Sequence, residues 1–481
     1  MVRSRTVNPR SRARKTKIVA TLGPASSSPD IIRQLILAGV NVFRLNFSHG
    51  DHEFHGRMIE AIRSISASEG ACVGILQDLG GPKIRLGELA ERSVCLKSGD
   101  TIQLIPGKAS SVPTVLPVEY DYLLEEVGVG DRILLADGTI ELVVERKGEG
   151  SLIARVIVGG EVRSHKGVNL PSGGLKVQAI TSKDMIDLEF GIEKGVDFVA
   201  ISFVRHEKDL DPVLRRFKNL DNRPLLIAKI EKPQALNRLN QILERADGIM
   251  VARGDLGIEM PLEKVPLAQK TIIKSAVRLA KPVITATQML GSMTNSPRPT
   301  RAETTDVANA ILDGTDAVML SEETAIGRYP VETVRMMNRI AVETESHFEN
   351  FFIRRHTDVE DGSIEGAVGQ AAWMAATNLR AAALVASTAS GATARLMSKY
   401  RPKTPIVATT HKETTYRQLS LSWGVIPLLT GKFKNTDDMF NVARKWMLEK
   451  GYAGKGDCIV VTAGVPVGVA GTTNLIKVIR L

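Results

Sequence analysis

The chain has 481 residues, of which 43% are hydrophobic and 24% are charged, and this length predicts about three domains. No apolar stretch approaches the roughly 20 residues that span a bilayer, and the first residues lack the apolar centre of a secretory signal, so no membrane partner is expected. Three widely spaced cysteines, Cys72, Cys95 and Cys458, form no Cys-x-x-Cys pattern. This usage predicts a reducing, cytoplasmic location.

The formal net charge of +10 is unevenly distributed along the chain. The first 17 residues contain no acid and seven basic residues, which are Arg3, Arg5, Arg10, Arg12, Arg14, Lys15 and Lys17. We interpret residues 1–16 as a solvated, disordered tail; an anion-binding arm and an organelle-targeting leader are the alternatives. The rest of the chain is nearly balanced and only 4% of residues are aromatic. A nucleic-acid-binding scaffold is therefore disfavoured, and no nucleic acid is expected as a partner.

From Lys17 onward, short apolar runs rich in β-formers alternate with longer segments of helical periodicity. The eight runs are KIVATL (17–22), NVFRL (41–45), CVGILQ (72–77), VDFVAI (196–201), LLIAKI (225–230), DGIMVA (247–252), PVITAT (282–287) and DAVMLS (316–321). Their number and the helical segments between them predict an α/β fold built on a closed (β/α)8 TIM barrel.

Two further regions depart from the barrel pattern. Between the third and fourth runs, residues 84–166 show alternating strands and tight turns, which predict a small all-β lid domain, a β-barrel, inserted into the TIM barrel. Beyond the eighth run a new αβ alternation (AALVAS, TPIVATT, GVIPLLT, DCIVVTAG) predicts an open α/β domain. The predicted boundaries are 1–16 for the tail, 17–83 and 167–345 for the barrel, 84–166 for the lid and 346–481 for the C-terminal domain.

Polar and charged residues follow six of the eight predicted barrel strands. They are Arg44, Asn46, Ser48 and His49 after the second, Asp78, Lys83 and Arg85 after the third, Lys229 and Glu231 at the fifth, Gly254 and Asp255 at the sixth, Thr287 at the seventh and Ser321 at the eighth. Taken singly, each has an ordinary explanation, such as Asp255 capping a helix or Glu231 pairing with Lys229. Because unpaired charges that converge at a barrel mouth are costly, their joint occurrence favours an active site.

Lys229, Glu231 and Asp255 indicate the chemistry of this site. Strand alternation directs Lys229 and Glu231 to the same face, and Asp255 follows the next strand. Two carboxylates and an ammonium group are what a magnesium ion and a phosphoryl group in transfer both require. The sequence has neither a Walker loop nor the loops of protein kinases. The stretch from Gly254 to Gly257 offers backbone amides at a predicted helix start, where an anion is stabilised.

The three histidines that follow the second strand are spaced three residues apart. This spacing of His49, His52 and His55 matches no zinc signature, and we interpret His52 and His55 as solvated helix positions.

Nine longer motifs occur in order across residues 15–481. They are TKIVATLGPAS, NVFRLNFSHG, GPKIR, HKGVNLP, IAKIE, MVARGDLG, TATQMLGSM, PTRAETTDVANA and TAGVPVG. Together they resemble the pyruvate kinase family. The resemblance implies transfer of the phosphoryl group of phosphoenolpyruvate to ADP, giving pyruvate and ATP in the last step of glycolysis, by an enzyme with a barrel, a lid and a C-terminal regulatory domain.

The resemblance also implies roles for individual residues. Glu231 and Asp255 would hold Mg²⁺, for which Mn²⁺ is a possible substitute; Lys229 and Arg44 would act on the phosphoryl group; Gly254, Asp255 and Thr287 would bind substrate; Asn46, Ser48, His49, Arg85 and Lys166 would contact the nucleotide; and Thr287 and Ser321 would belong to the path that protonates the enolate. A barrel lyase or aldolase acting on pyruvate-type substrates is the competing hypothesis. Dependence of turnover on ADP separates the two.

Lys83 departs from the pattern of family members that need potassium, which carry Glu at this position. In those members the ion is held by the equivalents of Asn46, Ser48, Asp78 and the carbonyl of Leu79. A fixed ammonium at Lys83 would supply the positive charge that potassium brings, so we predict activity without K⁺. The alternative is that Lys83 pairs with Asp78 or another acid.

The C-terminal domain contains a candidate second anion site. Ser387, Thr388, Ser390, Gly391 and Thr393 lie between the strand ALVAS and a helix predicted to begin near Ala394. This loop resembles the family's sugar-phosphate effector loop, which implies allosteric control by a sugar phosphate or nucleotide; an ordinary αβ turn is the alternative. The resemblance further implies a homotetramer. The identity of the effector cannot be inferred from the sequence.

Overall fold

The computed structural model describes residues 14–171, 173, 176–348, 362–466 and 472–481. Eight parallel strands close into a barrel, in which the first strand pairs with the eighth through Lys17 and Ala317. These strands are Lys17–Thr21, Val42–Asn46, Gly74–Asp78, Phe198–Ile201, Leu225–Ile230, Gly248–Ala252, Val283–Ala286 and Ala317–Leu320. All eight predicted runs are therefore confirmed as barrel strands, with ends that differ by at most two residues.

Helices surround the barrel and contribute its outer core. They are Pro29–Ala38, His52–Ser68, Ser182–Glu193, Asp211–Phe217, Pro233–Asn237, Leu239–Arg245, Arg253–Glu259, Val265–Arg278, Arg301–Leu312, Glu322–Ala325 and Pro330–Ser346, with 3-10 turns at Glu207–Leu210, Leu262–Lys264 and Gly291–Thr294. Local sequence sets several starts. Thr181 and Thr300 each form a reciprocal capping box with the acid three residues on, which satisfies amides that a helix start leaves free.

Within the inserted residues 84–166 the structure is all β apart from the short helix Leu123–Glu126, as predicted. A curled six-stranded sheet takes the place of the expected small barrel, and a two-stranded sheet lies beside it. The strands are Ser93–Leu96, Thr101–Pro106, Val115–Val118, Arg132–Leu135, Ile140–Gly148, Ser151–Val158, Gly160–Arg163 and Val168–Asn169. The last strand belongs to the lid sheet although it lies beyond the predicted boundary at residue 166. A separate hydrophobic core, including Leu104, Leu142 and Leu152, fills the insertion.

The C-terminal region forms a mixed five-stranded sheet flanked by helices. Its strands are Ala383–Ser387, Ile406–Thr410, Val425–Leu429, Cys458–Gly464 and Thr473–Arg480, and its helices are Ile364–Asn378, Ala392–Lys399, Glu413–Gln418 and Thr436–Glu449, with a 3-10 turn at Leu419–Leu421. The four predicted αβ runs supply the parallel strands. Thr473–Arg480, which the sequence analysis did not predict, adds an antiparallel edge. Of the helices that the model describes, none combines the length and apolar character needed to cross a membrane.

A fourfold arrangement recurs at the amino-terminal end of the barrel. The residue just before each even-numbered strand is Asn or Asp, and its side-chain oxygen accepts the amide of a residue near the start of the preceding strand. The pairs are Asn41 with Ile18 (3.0 Å), Asp197 with Ile75 (2.8 Å), Asp247 with Leu226 (2.8 Å) and Asp316 with Val283 (3.1 Å). We call these four side chains the base ring. Because each also contacts an arginine, polar groups are satisfied where the strands begin.

Two base-ring carboxylates join the barrel to the C-terminal domain. Asp197 accepts from Arg417 (2.8 Å), and Asp316 accepts from Arg401 (3.0 Å) and from the amide of Trp423 (3.1 Å). The Arg401 and Asp316 side chains are only 2% and 6% exposed. This contact therefore contains a buried ion pair.

The interpretation of residues 1–16 as a solvated tail is wrong for its last three residues, and residues 1–13 lie outside the described part. Arg14 donates to the side chains of Asn338 (2.8 Å) and Asn41 (2.9 Å). The amides of Lys15 and Thr16 donate to Glu345 at 2.7 and 2.6 Å. These polar partners belong to the barrel domain, and most of them are far from residues 14–16 in sequence. Local composition therefore could not predict these contacts.

Candidate active site

Side chains from the third, fourth and fifth barrel strands meet at the carboxyl-terminal mouth of the barrel. Lys229 Nζ lies 2.8 Å from Glu231 Oε1 and 3.3 Å from Asp78 Oδ1, and it donates to Ser202 Oγ at 2.7 Å. Ser202 in turn donates to the carbonyl of Leu79 at 2.8 Å. Strand alternation thus places Lys229 and Glu231 on one face, as the sequence predicted, and parallel pairing adds Asp78 to them.

Arg44 completes this buried charge network. Its Nε donates to Asp78 Oδ2 at 2.7 Å and its Nη1 to Thr21 Oγ1 at 3.1 Å. Burial disfavours the charged form of the Asp78 carboxylate, but Lys229 and Arg44 together hold the pKa of Asp78 below its ordinary value. Likewise, despite burial, Asp78 and Glu231 raise the pKa of Lys229 well above its ordinary value. Lys229 is therefore a permanent cation at the mouth.

Glu231 and Asp255 form a site with excess negative charge. Burial raises the pKa of Glu231, and the nearby Asp255 raises it further, whereas Lys229 and the Phe203 amide, which donates to Glu231 Oε2 at 2.8 Å, act in the opposite direction. Asp255 lies in the first turn of Arg253–Glu259, whose N-cap is Ala252, so Asp255 is not a capping residue. A buried carboxylate (Glu231) and a partly exposed one (Asp255) beside a cleft suit Mg²⁺, which takes one or two protein carboxylates and completes its shell with substrate and water. No set of three or more possible metal ligands occurs in the described ranges.

A cavity of about 900 Å³ extends from Asp255 toward the seventh and eighth strands. It is lined by Gly254, Thr287 and Ser321, with Arg132 on the lid side. Thr287 Oγ1 accepts the Gly254 amide at 2.7 Å and donates to the carbonyl of Ala286 at 2.6 Å. The Gly254 amide is thus engaged by Thr287 in this structure.

Backbone strain marks the same region. Thr287 and Gln288 have φ of 71° and 53°, and Phe203, beside Glu231, has φ of 57°. A β-branched residue such as Thr287 rarely adopts positive φ, and such strain clusters at functional sites. Ser321 precedes the helix Glu322–Ala325, and its amide donates to Glu323 at 2.7 Å. The Ser321 side chain lines the cavity with Thr287.

A second cavity, of about 450 Å³, lies between the barrel and the lid. Its lining includes His49 and Lys83 from the barrel side and Arg85 and Lys166 from the lid, and it reaches Asp255. Burial, together with Lys83, Arg85 and Arg44, lowers the pKa of His49. In the described part of the chain Lys83 has no ion pair. The two oxygens of Asp78 face Arg44 and Lys229 instead. Thus the alternative pairing of Lys83 with Asp78 is not found.

The residues predicted for a monovalent-cation site lie at the ends of the second strand (Asn46 and Ser48) and the third strand (Asp78 and Leu79). Asn46 Oδ1 accepts the Ser48 amide at 3.2 Å, and Asp78 and the Leu79 carbonyl already contact Lys229 and Ser202 respectively. These contacts give Asp78 and Leu79 partners within the protein.

The interpretation of His52 and His55 as solvated positions is wrong for His55 and holds in part for His52, whose side chain is 39% exposed. His55 is only 3% exposed; its ring stacks on Phe47 with centroids 4.0 Å apart, and Nε2 lies 2.9 Å from the carbonyl of His49. His52 Nε2 contacts Asp187 at 2.7 Å, and its ring stacks on Phe190. Helical periodicity identified the helix but could not identify which face packs against Ser182–Glu193.

Sequence reasoning also missed Ser202 and Phe203, which contact Lys229 and Glu231. They follow the fourth predicted strand, and their position at a barrel strand end was the available signal. They lack the charge that singled out the other residues.

The candidate effector loop is compact and internally bonded. Thr388 Oγ1 accepts the Gly391 amide at 2.9 Å, and the hydroxyl groups of Thr393 and Thr473 are 2.8 Å apart. The helix begins at Ala392, close to the predicted start, and Gly391 has φ of 83°. Ser387 and Ser390, in contrast with the buried Thr388 and Thr393, are partly exposed.

Comparison with known proteins gives consistent results over both regions of the chain. The family model for the pyruvate kinase barrel domain matches residues 13–334, and the model for the pyruvate kinase alpha/beta domain matches residues 366–479. Pyruvate kinase 2 of Synechocystis sp. is 50% identical over 97% of this chain and 79% of its own length. The pyruvate kinases of Geobacillus stearothermophilus and Staphylococcus aureus are 47% and 44% identical, each over 97% of this chain and 80% of their own.

Proposed function

The chain belongs to the pyruvate kinase family, whose activity is phosphoryl transfer from phosphoenolpyruvate to ADP in the last step of glycolysis, and we propose that Lys229, Glu231 and Asp255 form its catalytic centre. The observation that carries this assignment is the Lys229 ammonium held between Asp78 and Glu231 at the mouth of the barrel. A fixed and largely buried cation there stabilises charge on a phosphoryl group in transfer.

The family uses a divalent metal, and the donor set fits Mg²⁺, with Mn²⁺ as a substitute. Glu231 and Asp255 would hold the ion; burial and the charge of Asp255 raise the pKa of Glu231, and a divalent cation would compensate that charge. When bound, the ion supplies Lewis-acid polarisation and a template for the substrate.

The remaining residues position the two substrates around this centre. Arg44, held rigid by Asp78 and Thr21, presents a guanidinium suited to phosphate oxygens, while Gly254, Asp255 and Thr287 line the substrate side.

The barrel–lid cavity is assigned to the nucleotide. Arg85 and Lys166 provide charge for its phosphates, His49 lines the same cavity, and Asn46 and Ser48 precede His49 at the end of the second strand. The hydroxyl groups of Thr287 and Ser321, which line one cavity, are assigned to protonation of the enolate.

The test is a coupled assay of pyruvate formation with magnesium, phosphoenolpyruvate and ADP. Lys229→Met should lower kcat by at least about 10³-fold with smaller effects on KM, since the charge acts mainly in the transition state. The exposed Lys218→Met is the matched control and should retain full activity. Full activity of Lys229→Met would contradict the assignment, and turnover without ADP would favour a lyase.

Activity without potassium is proposed because Lys83 lines the nucleotide cavity with no acidic partner in the described chain. Its ammonium is near enough to Asp255 and Glu231 for both to act on its pKa, although burial, Arg85 and Lys229 lower that pKa overall. We infer that this positive charge acts on the reacting groups, where a potassium ion would otherwise contribute.

Allosteric control through the loop Ser387–Thr393 is also proposed, supported by two partly exposed serines and a helix start. Candidate sugar phosphates and nucleotides would be titrated into the kinetic assay. Ser390→Asp should abolish activation by repelling phosphate while leaving basal kcat unchanged. Thr393→Glu is a poorer probe, because Thr393 is buried against Thr473.

A homotetramer is proposed on the family resemblance and on exposed apolar side chains. Leu262 and Leu267 beside the barrel and Ile364 in the C-terminal region are 73%, 68% and 67% exposed. Light scattering should give four times the 52.2 kDa of one chain. A monomer mass at assay concentration would contradict this.

A further inference from the structure

A buried ion pair links the two segments that carry the proposed magnesium ligands. Lys232 Nζ lies 2.5 Å from Glu259 Oε1, and the two side chains are 4% and 1% exposed. Lys232 directly follows Glu231. Glu259 ends the helix Arg253–Glu259, which contains Asp255 in its first turn. The pair therefore bridges the ends of the fifth and sixth barrel strands immediately behind Glu231 and Asp255.

The same carboxylate reaches the lid. Asn169 Nδ2 donates to Glu259 Oε1 at 3.2 Å. Asn169 ends the last strand of the lid sheet, where it pairs with Leu134. We call Lys232, Glu259 and Asn169 the Glu259 cluster. It connects three segments that are separate in sequence.

The cluster also packs against the residue that orients Glu231. Lys232 Nζ lies 5.9 Å from the centre of the Phe203 ring, and the Phe203 amide donates to Glu231 Oε2 at 2.8 Å. Glu231 is thus held from one side by Lys229 and supported from the other by a contact to Phe203.

Stability alone explains such a pair poorly. Removing two charges from water costs free energy that their attraction only partly offsets, so hydrophobic replacements of buried pairs are often neutral or stabilising. Glu259 Oε2 is buried and has no hydrogen-bond partner in the described residues, which adds to that cost. The advantage of the pair therefore lies in geometry, because partners behind metal ligands set the orientation and affinity of the site.

We propose that Lys232 and Glu259 are positioning residues that fix the separation of Glu231 and Asp255, and that Asn169 couples the lid to this metal site. The inference rests on the proposed role of Glu231 and Asp255 as magnesium ligands. Closure of the lid over the nucleotide and binding of the divalent ion would then be linked through one carboxylate.

The first test measures Mn²⁺ binding to the complete enzyme by electron paramagnetic resonance, without substrates. Lys232→Met/Glu259→Gln removes both charges and keeps an amide oxygen for Asn169. Its Mn²⁺ affinity should fall about tenfold with little change in Tm. The single variant Lys232→Arg preserves the ion pair, and its Mn²⁺ affinity should stay within about threefold of the parent value.

A matched control and a reference variant separate the possible failures. Arg223→Met/Asp247→Asn removes an ion pair at the opposite end of the barrel and should leave Mn²⁺ affinity unchanged. Glu231→Gln should abolish Mn²⁺ binding. Intact binding in Glu231→Gln would overturn the proposed metal site itself. Loss there with parental affinity in the Lys232/Glu259 variant would overturn only the positioning role.

The second test addresses the lid and does not depend on folding of the double variant. Mn²⁺ should slow hydrogen exchange in Arg132–Leu135 of the parent enzyme, and in Asn169→Ala this exchange should be faster and no longer respond to Mn²⁺. An equal effect of Mn²⁺ on exchange in the parent and in Asn169→Ala would overturn the coupling between lid and metal site.

Discussion

At the scale of single residues, Lys83 distinguishes this site by its charge. Lys83→Glu would place a carboxylate in the cavity that reaches Asp255 and would remove a cation that acts on Asp255 and Glu231, so the variant should become strongly potassium-dependent. The measurement is kcat in tetramethylammonium and in potassium salts, with parent activity expected to change less than about twofold. The exposed Lys97→Glu in the lid is the control. Strong stimulation of the parent enzyme by potassium would contradict the assignment.

His55 predicts a pH dependence of stability. Burial lowers its pKa in the folded protein below the ordinary value of 6.5, so the unfolded chain binds more protons as the pH falls below that value. The free energy of unfolding should therefore decrease on acidification below about pH 6.5. In His55→Gln, Tm should fall less steeply between pH 7 and 5.5 than in the parent. Parallel profiles would show that His55 contributes nothing to the slope.

At the scale of elements, the base ring explains how the strands begin and how the C-terminal domain is attached. Arg401→Met would leave Asp316 buried without its ionic partner and should cost about 3–5 kcal/mol in free energy of unfolding, measured by denaturant titration. Arg57→Met removes an exposed pair with Glu53 and should cost at most about 1 kcal/mol. If both substitutions lowered the free energy of unfolding equally, the buried Arg401–Asp316 pair would contribute no more to stability than an exposed pair.

The base ring also had a signal in the sequence. The predicted runs NVFRL, VDFVAI, DGIMVA and DAVMLS each carry Asn or Asp at or near the start, whereas the odd-numbered runs do not. An Asn or Asp at a strand start has ordinary explanations, because both residues are common in turns. Its partner amide lies in the preceding strand, and so only the closed barrel reveals the common role.

At the scale of the whole molecule, the N-terminal segment connects distant parts of the chain. Deletion of residues 1–13 should leave kcat and Tm unchanged, because Arg14 keeps its contacts to Asn41 and Asn338. Deletion of residues 1–16 also removes the amides that donate to Glu345 and should lower Tm by several degrees. This deletion removes no active-site residue. Loss of activity after the shorter deletion would contradict the interpretation of this segment as dispensable.

Much of the architecture followed from the sequence because it depends on local periodicity. Eight β-rich runs separated by helical segments predict the barrel, and the polar residues at their ends identify the mouth, since parallel strands bring their carboxyl ends together. Lys229 and Glu231 were assigned to one face by the alternation of strand side chains alone. The domain boundaries and the effector role of Ser387–Thr393 remain predictions.

The sequence by itself determined the fold class, the family and the identity of the charged groups at the mouth, because these follow from residue type and from spacing along the chain. Only the tertiary structure decided which of these groups contact and pair with one another. Asp78 lies between Arg44 and Lys229, Lys83 has no ion pair among the residues that the structure describes, His55 packs beneath His49, and Glu259 joins Lys232 to the lid. The physical reason is that electrostatic and hydrogen-bonding energies depend on distances of a few ångströms between residues that are far apart in sequence.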